Sequence, residues 1–224
     1  MTGKNPILAE VERAQAAAAE REERRLAAVA AGRIAAAPVV DDLRRAGFDV
    51  VNIQDLYNKK LKYGSAIPIL LKWLPVVDNW TAKVQIVTAL NTRAAKPSAA
   101  EPLIREFRSD PDPEMRSVIA QVLCRVANAS VLDDLASLAE DPASGIARRP
   151  LALCLGEFND ARSVEALSHL LRDDDVGGYA VIAAGKLRAR SLRPLVEPYL
   201  NHPKAWVRAE ARKALARMDK ASAT

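Results

Sequence analysis

The sequence predicts an all-α fold: a solenoid of about five helix-turn-helix units, preceded by a helical cap and a long N-terminal helix. Two observations carry this prediction. Similar segments recur about every 31 residues between positions 64 and 218. Half of the 224 residues are hydrophobic but only 4% are aromatic, which is typical of small and aliphatic side chains packed between helices.

Residues 1–37 are the first element, rich in Ala, Glu and Arg, and they favour one long helix from Pro6 that Pro38 ends. Large aliphatic side chains are few, so any packing face is shallow. They are Leu8, Val11, Leu26, Val29 and Ile34. We expect a helix that is exposed or depends on a partner, with a frayed segment as the alternative.

Residues 38–63 read as a degenerate helical pair. A short helix up to Ala46 stops at Gly47, and a second helix follows that Asn52 can cap. We expect this pair to cover the apolar end of the repeats that follow.

Residues 64–218 hold the five units, and residues 219–224 are a short tail. In each unit a shorter amphipathic helix precedes a second helix. The second helices align on one equivalent apolar position near their start, which we call the anchor. The anchors are Ala82, Met115, Ile146, Val176 and Val207. No unit of this size can bury its apolar face alone, so stacking is expected to build one continuous core.

The run DDDVGGYA at 173–180 resembles a ligand site at first sight. An EF-hand loop starting at Asp173 would need a glutamate at its twelfth position, where Ala184 stands, and a phosphate loop would not carry three carboxylates. The aspartates align with the turns of the other units, which predicts helix capping. Gly177 and Gly178 are unfavourable in a helix, and either a close neighbour, a ligand or sequence drift explains them.

Enzyme motifs are absent from the sequence, and we expect no enzymatic activity, cofactor or metal site. His169 and His202 have no partners at metal-ligand spacing. Cys124 and Cys154 are predicted to be small buried hydrophobic residues. With only two cysteines and no visible leader or membrane span, we expect a soluble cytoplasmic protein without membrane contact.

Tryptophan marks two predicted helix starts, at Trp80 and Trp206, and Trp73 lies on a first helix. Such side chains either stack on a ligand or fasten a turn to the core, and the second interpretation is favoured.

Positive charge is concentrated near the C-terminus, where residues 180–224 carry 10 basic and 3 acidic side chains. This excess indicates either a surface for nucleic acid, anionic lipid or an acidic protein face, or a solvated helical end.

The units resemble HEAT repeats of the short bacterial type first described in phycobilisome lyases, and the capped array resembles stand-alone bacterial HEAT-repeat proteins. The resemblance rests on the turns Asp110-Pro111 and Asp141-Pro142, the pair Val207-Arg208, its counterpart Met115-Arg116, and the linker LGEFNDARSVEAL at 155–167. The pattern departs at His202, Ala147 and Gly177, which replace the usual Asp or Arg.

This resemblance implies that the second helices line the concave surface and that Arg116 bonds Asp110 between repeats. Arg208, without an aspartate in its turn, is expected to meet an external group. The candidate partner-binding residues on that face are Lys83, Arg125, Arg148, Arg149, Tyr179, Lys186, Arg208 and Arg212.

A non-enzymatic scaffold that binds a protein partner on the concave face is the predicted function. Nucleic-acid binding through the basic C-terminal repeats is the alternative. The repeat type alone suggests a third class, a lyase or chaperone acting on a tetrapyrrole-bearing protein. A DNA glycosylase of this fold would need an aromatic cleft with a catalytic acid, and no such set is identifiable.

Overall fold

The computed structural model describes the backbone of residues 6–220 and the side chains of residues 10 and 12–220. All regular elements in this range are helical. The predicted all-α solenoid is therefore confirmed. Leu8 and Val11, named above for the packing face, and residues 221–224 of the predicted tail lie outside the described residues.

The first helix, α1 (Pro6–Arg45), passes through Pro38, so the prediction that this proline ends it is wrong. Proline removes only one helical hydrogen bond. Val39 and Leu43, just beyond it, are fully buried, and their packing holds the helix together. Every described side chain up to residue 31 is exposed. No helix within residues 6–220, α1 included, is long and apolar enough to cross a membrane.

The cap follows the prediction after α1. Gly47 stops the helix at a φ of 91°, and in front of α2 (Asp55–Asn58) the Asn52 Oδ1 atom accepts a 3.0 Å bond from the Asp55 N–H. Asp42 ties α1 to the first repeat, because its Oδ2 atom accepts 2.8 Å bonds from Lys72 Nζ and Trp73 Nε1. Trp73 thus fastens the cap to the solenoid.

Within residues 6–220, five helical pairs follow, as predicted. Their first helices are α3 (Ile67–Trp73), α5 (Ala100–Ser109), α7 (Leu132–Glu140), α9 (Ala161–Leu170) and α11 (Arg193–Val196). Their second helices are α4 (Trp80–Ala89), α6 (Pro113–Val126), α8 (Arg148–Leu155), α10 (Gly177–Leu187) and α12 (Ala205–Lys220). Each second helix packs against the second helix of the next unit, and α1 packs against α4. The second helices therefore form one continuous layer, called here the second-helix face.

The third unit is one residue out of the predicted alignment. Ile146, the predicted anchor, is 46% exposed, whereas Ala147 is fully buried and takes its place. Its turn, 142–147, holds one residue more than the turn of the second unit. Gly145 accommodates this extra residue by adopting a positive φ of 56°. Arg148 therefore directly follows the anchor, as Lys83 and Arg116 do in their units.

Candidate functional site

Basic residues directly after the anchors link successive repeats. Lys83 of the first unit reaches Glu106 Oε1 at 2.5 Å and Asp110 Oδ2 at 3.2 Å, both in the second unit. Burial alone would lower the pKa of Lys83, but its hydrogen bonds and attraction to the two carboxylates raise it above the ordinary value. The Lys83 side chain is only 11% exposed, so the expectation that Lys83 contributes to an open surface is wrong.

Arg148 makes the same kind of link between the third and fourth units. Its Nη2 atom donates to Asp173 Oδ2 at 2.7 Å and its Nε to the Ala139 carbonyl at 2.9 Å. Burial tends to raise the pKa of Asp173, but the bonds from Arg148 and from backbone N–H groups prevail and lower it. Arg148 is only 6% exposed, so its expected place on an open surface is also wrong.

Arg116 links the second unit to the third through a different acceptor from the one expected. Its Nη1 atom donates to the Ala143 carbonyl at 3.1 Å, whereas Asp110 pairs with Lys83. The expected bond between Arg116 and Asp110 is not made, since Arg116 reaches forward to the turn of the third unit.

Asp173 stabilises the turn before α10, since its Oδ1 accepts a 2.9 Å bond from the Asp175 N–H. The predicted helix capping by the aspartates is wrong, because the N-cap of α10 is Val176 and no side chain caps the helix. Gly177, the glycine after the fourth anchor, leaves room for a link of another kind between repeats. A Cβ atom on Gly177 would lie 1.9 Å from Tyr199 Oη, which donates a 2.7 Å bond to the Leu171 carbonyl. Of the explanations offered for Gly177, the close neighbour is therefore the correct one.

Arg208 of the fifth unit bonds within its own turn. Its Nη1 atom donates to the carbonyls of His202 and Pro203, at 2.7 and 2.8 Å, within its own turn. The half-buried guanidinium thus holds the turn together, and the expectation that it meets an external group is not supported by this geometry.

An exposed aromatic and cationic cluster lies beside these links. The Tyr179 and Trp206 rings are 5.5 Å apart between centroids and tilted by 55°, and the Arg149 guanidinium carbon lies 5.9 Å from the Tyr179 centroid. Arg149 and Trp206 are exposed and Tyr179 is half-buried. We call these three residues the Trp206 patch.

Gly178 makes the Trp206 patch possible. A Cβ atom on Gly178 would lie 2.8 Å from the Trp206 Cη2 atom, so a larger residue would displace the indole. Trp206 is 43% exposed and Trp80 is 44% exposed. Both tryptophans therefore keep a large exposed face, which the prediction that they fasten turns to the core did not include. A cavity of about 220 Å³ opens beside the rings, lined in part by Asp174, His202 and Lys204.

The remaining predicted site residues lie away from the Trp206 patch. Arg125 is exposed near the end of α6, Arg212 is exposed in the middle of α12, and Lys186 is exposed and paired with Glu157. The structure thus divides the eight candidates into two buried links, two members of the Trp206 patch, three separate exposed cations, and Arg208, which holds its own turn.

Sequence reasoning missed the accessibility of one thiol. Cys154 is fully buried as predicted, but Cys124 is only half-buried and lines a surface groove. Its Sγ donates to the Pro150 carbonyl at 3.1 Å. The hydrogen bond from Cys154 lowers the pKa of Cys124, whereas that bond and burial raise the pKa of Cys154.

A comparison with protein-family models agrees with this architecture. The model described as HEAT repeats matches residues 100–178, from the start of α5 to the start of α10. The middle of the solenoid is therefore similar to HEAT repeats. No curated protein matched the chain.

HEAT repeats commonly act as protein-interaction scaffolds. In this solenoid, no three His, Cys, Asp or Glu side chains among the described residues could together hold a metal ion. The Trp206 patch instead presents Trp, Tyr and Arg on a rigid helical edge, the residue types most enriched at binding hot spots. This arrangement is suited to binding.

Proposed function

We propose that the protein is a non-enzymatic scaffold that binds a protein partner on the second-helix face. The family resemblance makes this face the concave side. The Trp206 patch is the proposed main contact with the partner. The observation that carries the proposal is the exposed indole of Trp206, seated over Gly178 and beside Tyr179. A rigid aromatic side chain loses little conformational entropy when a partner covers it.

Its expected contribution can be worked out from exposure. A covered tryptophan buries roughly 150–250 Å². Since 43% of Trp206 is exposed, a partner would remove on the order of 100 Å² from water, which corresponds to about 2 kcal/mol. Trp206→Ala is therefore expected to weaken partner binding roughly 30-fold.

The test is affinity capture from the native cells, with wild type, Trp206→Ala and Trp80→Ala as baits. Trp80 is the matched control, since it is equally exposed at the start of another second helix. A protein captured by wild type and Trp80→Ala but lost with Trp206→Ala, and then confirmed by calorimetry with the purified partner, supports the proposal. Equal capture by all three baits would exclude the Trp206 patch as the main contact with the partner.

Nucleic-acid binding is a second proposal, favoured by exposed C-terminal cations. The side chains of Arg188, Arg190, Arg212 and Arg217 are exposed and make no hydrogen bond or ion pair within residues 6–220. Binding through phosphate contacts would weaken linearly with the logarithm of salt concentration. Arg212→Glu with Arg217→Glu is the appropriate variant, because Arg208 holds its own turn. Absence of duplex binding at low salt would rule this proposal out.

A further inference from the structure

A second surface feature lies across three consecutive repeats, at the ends of their second helices. It is a groove of about 560 Å³. Asn91, Arg93 and Lys96 line it from the segment after α4, Arg125 from the end of α6, and Phe158 from the turn after α8. We refer to it as the basic groove.

Three cations of the basic groove are available to a ligand. Arg93, Lys96 and Arg125 are exposed, and their side chains make no hydrogen bond or ion pair in the described part of the chain. They differ in this from Lys83 and Arg148, whose charges are committed to carboxylates between repeats. The groove therefore offers three unpaired positive charges to an anion.

The shape of the basic groove favours an elongated ligand. Its walls come from three successive units, and neighbouring packed helices are about 8–10 Å apart, so it spans roughly 16–20 Å. An extended peptide advances about 3.3–3.6 Å per residue, so five or six residues cover this length. The exposed amides of Asn91 and Gln121 can bond the backbone of such a peptide.

We infer that the basic groove binds an acidic peptide segment, rich in Asp or Glu, of a partner protein. The inference rests on the proposed scaffold function and names the chemistry of the partner. A nucleic acid fits less well. Phe158, the one aromatic ring lining the groove, is half-buried against the core and offers no stacking platform. Glu157 also interrupts the positive lining, and a peptide can place an uncharged residue there while a phosphate chain cannot.

The experiment measures fluorescence anisotropy of a labelled Glu/Ser peptide about ten residues long at low salt. The groove variant is Arg93→Gln/Lys96→Gln/Arg125→Gln. The control variant is Lys62→Gln/Arg105→Gln/Arg172→Gln, which removes the same charge from exposed positions outside the groove. We expect the groove variant to bind at least about tenfold more weakly and the control to bind like wild type. Arg125→Gln alone is expected to be about threefold weaker.

Three results would overturn the inference: no binding of the acidic peptide to wild type, equal loss in both triple variants, or tighter binding of an oligothymidylate of similar length than of the peptide. The last result would assign the groove to nucleic acid. Trp206→Ala should leave peptide affinity unchanged. Failure of partner capture by that variant therefore tests the scaffold proposal separately from the basic groove.

Discussion

Removal of the Lys83 ammonium is expected to destabilise the solenoid strongly. Lys83→Met keeps most of the aliphatic stem but removes the cation that pairs with Glu106 at 2.5 Å and Asp110 at 3.2 Å. These carboxylates are 7% and 8% exposed, so water cannot replace the lost partner.

The magnitude follows from two independent considerations. A hydrogen bond to a charged group contributes about 1.5–3 kcal/mol, and Lys83 makes two of them. Removal of one partner of a buried ion pair costs about 3–5 kcal/mol. We therefore expect a loss of about 3–5 kcal/mol, or roughly 6–20 °C in Tm for a chain of this size.

The assay is urea unfolding followed by far-UV circular dichroism, with the slope compared between variants. Lys83→Met/Glu106→Gln is the companion variant, and it should recover at least about 2 kcal/mol because one buried charge is removed with its partner. A loss below about 1 kcal/mol for Lys83→Met would refute the reasoning, since the pair would then behave as a solvent-screened surface pair.

The sign of the pH dependence provides a further check on Lys83. Its pKa is raised on folding, so its contribution is complete below the unfolded value of about 10.4 and is lost as the pH rises through the higher folded value. The stability difference between wild type and Lys83→Met should therefore stay constant near neutrality and shrink only in strong alkali.

Further predictions concern the later repeats. Gly177→Ala should lose about 1–3 kcal/mol in thermal unfolding, because the new Cβ displaces the Tyr199 hydroxyl from its acceptor; an unchanged Tm would contradict this. Iodoacetamide should modify Cys124 before Cys154, and the midpoint of its rate should lie at a lower pH than for an unperturbed thiol, as followed by mass spectrometry; equal labelling would argue against it. Asp173→Asn should lower the free energy of unfolding at neutral pH. Because the pKa of Asp173 is lowered in the folded protein, the difference in this free energy from wild type should shrink below pH ~3.9. A difference that stays constant in acid would disprove this prediction.

The helical units were predictable because their signals are local. Each second helix starts near a turn of Asp, Asn or Pro, and a buried anchor follows at four of the five predicted positions. The exception is Ile146. Its shift by one residue could have been predicted, since the turn before Ala147 contains an extra residue and a glycine. Pro38 was misread because its local effect is weaker than the burial of Val39 and Leu43.

The candidate site was less predictable from sequence. Lys83 and Arg125 are both cations on second helices, yet one is enclosed by carboxylates and the other is exposed at a groove. Gly178 was noted as unusual, but its role depends on an indole that follows it by almost a full repeat. No local pattern distinguishes these cases.

By itself, the sequence determined that the chain forms a capped, repeating α-helical array, because helix period, capping and repeat length are encoded within about one unit. Only the tertiary structure decided which charges and rings are exposed. Lys83 meets Asp110 across 27 positions, and Trp206 rests on Gly178 across a repeat boundary. Exposure depends on how stacked units meet, and contacts between residues about one repeat apart control it.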